Sequence, residues 1–161
     1  MMSRKIKFWI LPLFFIIISC SQDENIIAPE EEVIITSGPL SITEEILKLV
    51  NEHRQSINKS SLVRNNVADN LAKDHTIYMI SENNISHDNF NTRFQELQQK
   101  VNAKSAGENV ASGYPTAVSV MNGWLNSSGH KANIEGYFTH IGIAAIKDSQ
   151  GRYYFTQLFY R

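Results

Sequence analysis

The last twenty-three residues limit the fold more than any other part of this chain. Thr139 to Lys147 and Tyr153 to Tyr160 read as two strands joined by the turn Asp148-Ser149-Gln150-Gly151. In the first strand both alternating sets are apolar or small, Ile141/Ile143/Ala145 and Gly142/Ala144/Ile146. In the second, Phe155 and Phe159 alternate with Tyr154, Leu158 and Tyr160. A strand pair that is apolar on both sides has no face to give to water, so each face needs a covering layer. The upstream sequence offers helices for this. The expected class is therefore α+β, a three-layer α-β-α sandwich around a mainly antiparallel sheet.

The helices read from spacing. Ser41-Ile42-Thr43-Glu44 is a capping box, and Ile46, Leu47, Val50, His53 and Ile57 then share one face. A second helix is expected from Asn66 to Asn83, with Val67, Leu71, Asp74/His75, Tyr78 and Met79 on one face. Ile85 to Asn91 reads as a loop, Phe94 to Val101 as a short helix and Ala106 to Ser112 as a strand or irregular segment. Thr116 to Leu125 reads as a further helix, and Asn126-Ser127-Ser128-Gly129 as a break. With 42% hydrophobic and 19% charged residues the chain can build a core. Its one cysteine permits no internal disulfide, so packing must hold the domain together.

That cysteine, Cys20, stands at the end of a signal-like start. Arg4, Lys5 and Lys7 precede an apolar run of eleven residues from Phe8 to Ile18. The run suits a signal h-region and is short of the ~20 residues that span a bilayer. Ile17-Ile18-Ser19-Cys20 resembles a lipobox, which implies lipidation at Cys20 and a membrane anchor. The expected organisation is a signal peptide over 1–19, a lipidated cysteine and acidic tether over 20–40, and one domain over 41–161. Within the tether, Ile26-Ile27 and Val33-Ile34-Ile35 are the segments able to pair as a short edge strand. Gln22-Asp23-Glu24 resembles the acidic signal that sends some Gram-negative lipoproteins to the outer face of the outer membrane.

Few residues offer chemistry. The chain has no GxSxG, HExxH, GxxxxGK[ST] or GxGxxG motif, and the body has no cysteine nucleophile. A net charge of -1 and the lack of a basic aromatic cluster argue against nucleic acid. His87, Glu108 and His130 each sit in or beside a loop rich in Gly, Ser or Asn. Two imidazoles and a carboxylate suit a divalent ion, zinc first. His53 and His75 fall on core-directed helix faces and read as structural, and His140 precedes a strand. Glu52 and Arg54 read as helix-surface or loop-tying groups, Tyr78 and Trp124 as packing residues.

Together these segments resemble the CAP superfamily, the SCP domain of cysteine-rich secretory, antigen 5 and pathogenesis-related proteins. The blocks that carry the resemblance are Leu49-Val50-Asn51-Glu52-His53-Arg54, His87, Gly107-Glu108-Asn109-Val110-Ala111, Trp124 through Ile134, and Thr139 through Ala144. The segment Trp124-Leu125-Asn126-Ser127-Ser128-Gly129-His130-Lys131-Ala132-Asn133-Ile134 is similar to the bacterial branch. The resemblance implies the CAP sandwich over Ser41 to Arg161. It also implies a cleft in which His87, His130 and Glu108 match three of the family's four site residues. The fourth, an acid after the tryptophan, is replaced here by Asn126 or Ser127, which implies that ion binding is weaker or absent. The functional expectation is a lipid-anchored binding module of the cell envelope, taking an ion, lipid, glycan or peptide. A metal-dependent hydrolase using His87, Glu108 and His130, or a structural envelope protein, are the alternatives.

Overall fold

The computed structural model describes residues 40–161. The expected signal peptide, Cys20, and the Ile26-Ile27 and Val33-Ile34-Ile35 segments of the expected tether lie outside the described residues. Helix α1 (Ile42–Ser56) starts as the capping box requires: Ser41 N–H donates to Glu44 Oε2 at 2.8 Å, and Glu44 N–H donates to Ser41 Oγ at 3.3 Å. A two-residue strand β1 (Val63–Arg64) leads to α2 (Asn66–Ser81), whose N-cap Asn65 accepts from the Val67 and Ala68 N–H groups. Then come α3 (Phe90–Val101), β2 (Ala106–Ser112), α4 (Ala117–Leu125), α5 (Ser128–Ile134), β3 (His140–Lys147) and β4 (Tyr153–Tyr160).

The sheet order is β1-β3-β4-β2, with β1 parallel to β3 and the other pairs antiparallel. The terminal hairpin is thus the centre of the sheet, which is why both of its faces are apolar. Ile141, Ile143, Phe155 and Phe159 pack with Ile46 and Val50 of α1 and Val120 and Trp124 of α4. On the other face Ala144, Leu158 and Tyr160 pack with Ala68, Leu71 and Ala72 of α2 and Leu97 of α3. These are the three layers expected. Gly142 sets their spacing: a Cβ there would lie 2.1 Å from the Ala68 carbonyl carbon, so α2 can approach only a glycine.

Three local expectations are corrected. Helix α3 starts at Phe90 rather than Phe94, straight after Asn89 in the left-handed region at φ 58°. This entry places Arg93 on the same buried face as Leu97. The chain does not stay irregular through Asn126–Gly129; a further helix, α5, begins at Ser128. Helix α2 stops at Ser81, with Asn83 taking a positive φ of 50° in the turn that follows.

Candidate functional site

Strand β2 is one edge of the sheet, and the candidate site lies along it. Side chains alternate across a strand, so Glu108 faces the α2/α3 layer while Gly107 and Asn109 face α5. Glu108 is buried, at 6% exposure, and its carboxylate is fully engaged. Arg93 donates from Nε to Oε2 and from Nη2 to Oε1, both at 2.7 Å. This two-pronged grip is the strong form of an Arg–carboxylate pair. His87 Nδ1 lies 2.9 Å from Oε1. A carboxylate only accepts, so Nδ1 carries a hydrogen, which in a neutral ring leaves the lone pair on Nε2.

The His87 loop is held from several sides. His75 Nε2 donates to Ser86 O at 2.7 Å, Arg93 Nη1 donates to Asp88 O at 2.7 Å, and Tyr78 Oη donates to Asp88 Oδ2 at 3.1 Å. Tyr78 also stacks on the His75 ring at 5.9 Å. His75 Nε2 is 3.7 Å from Glu108 Oε1, too long for a hydrogen bond but close enough for the charges to interact. Burial pushes the His75 imidazole below its usual pKa, while the Glu108 charge works the other way. The loop is therefore anchored while the His87 side chain itself stays about half exposed, at 52%.

His130 comes from the other wall. Asn109 Nδ2 donates to His130 O at 3.1 Å, and Asn133 Nδ2 donates to Glu108 O at 3.0 Å and to Asn109 Oδ1 at 2.9 Å. These bonds clamp α5 onto β2. Gly107 permits the fit, since a Cβ there would meet Asn133 Oδ1 at 2.8 Å. Burial lowers the pKa of His130, and repulsion from His87 lowers it further, so the two imidazoles feel each other's charge. One depression of about 300 Å³ lies beside His87, Glu108 and Asn133. A second of about 310 Å³ is bounded by Trp124, Ser127 and His130.

The expected trio divides into roles. Glu108 touches His87 but its oxygens already accept from Arg93, which also sets a positive charge beside them. Among the described residues no three His, Cys, Asp or Glu side chains form a metal's ligand set. A three-donor zinc shell does not fit this arrangement. Ser127 lines the His130 depression; Asn126 is exposed and ends α4. Arg93 and His75 are the site residues that sequence reasoning missed. Arg93 carried a signal, being a charge four residues before Leu97 on an apolar helical stripe.

The remaining polar residues lie elsewhere. Arg54 is buried and donates to the carbonyls of Ser60, Ile134, Gly136 and Phe138, tying loops as expected. His53 meets Glu135 at 2.8 Å, and His140 stacks on Tyr160 at 4.8 Å.

A model of the cysteine-rich secretory protein family, CAP, matches residues 47–159, which include every part of this site. The chain belongs to that family. Two curated proteins of Bacillus subtilis (strain 168) are similar to it. The uncharacterized protein YkwD is 29% identical over 119 residues, covering 70% of this chain and 46% of its own. The uncharacterized membrane protein YlbC is 31% identical over 121 residues, covering 71% and 33%. The CAP chain thus spans less than half the length of both. An extracellular SCP-domain protein of Bacillus anthracis superposes with a TM-score of 0.65 at 31% identity, over 78% of this chain and 45% of that one. An outer surface protein of Borrelia burgdorferi shares the fold, with a TM-score of 0.67 at 24% identity, over 76% and 96%.

Proposed function

We propose that this CAP protein is an exported binding module of the cell envelope, anchored by lipid on Cys20, whose cleft at the β2 edge captures a ligand. His87 and His130 are its ligand-facing groups, and Glu108 orients His87. The observation that carries this reading is the anchoring around His87. Four side chains fix its loop or ring, yet the ring stays half exposed with Nε2 free to accept. Preorganisation of that kind lowers the ordering cost of binding.

Binding is favoured over turnover because Glu108 has no oxygen left for a base's work. Both oxygens already accept from Arg93, and one also accepts from His87. The envelope location is supported by the extracellular SCP-domain protein of Bacillus anthracis and by the lipobox-like Ser19-Cys20. The lipid on Cys20 is the proposed attachment. Gln22-Asp23-Glu24 supports the outer face of an outer membrane.

Calorimetric titration of zinc, with calcium and magnesium alongside, tests the division of roles. Zinc is expected to bind weakly through the two imidazoles and to lose that binding in His87→Ala/His130→Ala. Tight zinc binding abolished by Glu108→Gln would overturn the assignment of Glu108 as an orienting group.

A further inference from the structure

Along the cleft runs a row of backbone N–H groups that have no partner among the described residues. Among those residues strand β2 pairs only with β4. Just beyond its start, Ser105 and Arg161 exchange backbone bonds of 3.3 and 3.2 Å; just beyond its end, Gly113 N–H donates to Tyr153 O at 2.8 Å. Bonded and non-bonded pairs alternate along an antiparallel ladder. Gly107, Asn109 and Ala111 therefore turn their N–H and C=O groups toward β4. Ala106, Glu108, Val110 and Ser112 turn theirs away from the sheet.

Two of these outward carbonyls are capped, Glu108 O by Asn133 Nδ2 and Val110 O by Trp124 Nε1 at 3.3 Å. The outward N–H groups are not. Among the described residues, none of the four donates to any acceptor. Glu108 and Val110 are buried, and an N–H in a buried residue seldom goes without a partner. The depressions beside His87 and His130 open onto this same edge, one at Ala106–Glu108 and one at Val110–Ser112. Outward N–H groups two residues apart are separated by about 6.7 Å, the spacing of alternate carbonyls on an extended chain.

We propose that the cleft takes an extended polypeptide segment laid along β2, its alternate carbonyls accepting from the Glu108 and Val110 N–H groups. The proposal rests on the binding reading above and names the ligand class. Main-chain contacts supply the affinity in this mode, and the side chains of the bound segment meet His87 at one depression and His130 at the other. The capped carbonyls make the pairing one-sided: the ligand's acceptors matter more than its donors.

The test is amide exchange on the ¹⁵N-labelled protein, with and without a pool of capped hexapeptides of apolar, acidic and basic composition. In the free protein the amides of Glu108 and Val110 should exchange at least about tenfold faster than those of Gly107, Asn109 and Ala111. The peptides should slow Glu108 and Val110 by about tenfold and leave the inward amides unchanged. Slow exchange at Glu108 and Val110 before peptide is added, or rates that peptide leaves unchanged, would overturn the proposal. His87 and His130 imidazole resonances are read in the same samples. If they shift with another ligand while the amide rates stay fixed, the strand fails and the binding cleft stands; if they shift with nothing, the cleft fails too.

Discussion

Replacing Arg93 by methionine is the sharpest perturbation this structure suggests. The Glu108 side chain is only 2% exposed, and two of its three hydrogen bonds come from Arg93. Methionine keeps much of the volume on α3 but leaves a buried carboxylate with His87 alone. Breaking a buried pair by removing one partner costs about 3–5 kcal/mol, far more than the net worth of an exposed pair. For a domain of this size each kcal/mol moves the melting temperature by roughly 4 °C, so a loss of about 12–20 °C is expected. Glu108→Leu alone should also be costly, because it strands the Arg93 guanidinium. The double variant Arg93→Met/Glu108→Leu removes both charges and should recover at least about 2 kcal/mol of the summed losses. Urea melts of the wild type, both single variants and the double variant complete the cycle. A single-variant cost of Arg93→Met below about 1 kcal/mol, or strict additivity, would refute the claim that the pair is a buried, coupled unit.

Other consequences follow from the same geometry. Burial holds the His75 pKa below its unfolded value, so the unfolded chain binds the proton more readily. Stability from this group is present above the unfolded pKa and falls as the pH drops through the lower folded value. Urea midpoints at pH 7.5 and pH 5 should show that loss, and His75→Gln, which can still donate to Ser86 O, should reduce it; an unchanged pH slope would contradict the assignment. Gly142→Ala would drive a methyl into the Ala68 backbone and should cost at least about 2 kcal/mol in a thermal melt, since neither strand nor helix can yield cheaply. Ser41→Ala should cost about 1 kcal/mol by removing half of the α1 capping box. Cys20→Ala should abolish incorporation of labelled fatty acid and move the protein out of the detergent phase; retention there with label would refute the anchor.

Local rules made much of this protein readable. The Ser41–Glu44 box, the start of α4 near Thr116 and the terminal hairpin depend on spacing and hydrogen-bonding groups within a few residues, so they were legible in the chain itself. The double apolar pattern of β3 and β4 also announced the three layers, because it records burial on two sides. The site was half legible. His87, Glu108 and His130 were identified as polar residues in loop-like contexts and by family resemblance, and the fold sets Glu108 against His87.

What the chain order concealed was who else would be there. Arg93 lay just ahead of the expected helix and His75 read as a structural helix residue, until α2 and α3 closed over β2 and enclosed Glu108 with them. That packing turned a presumed ligand into an ion-paired support, since a carboxylate's availability depends on its neighbours in space. The parallel pairing of β1 with β3 and the edge position of β2 are likewise contacts between distant segments. The sequence determined the elements and which of their faces had to be buried. Only the tertiary structure decided the cleft, because an unpaired strand edge and a shared buried charge exist only once remote parts of the chain have met.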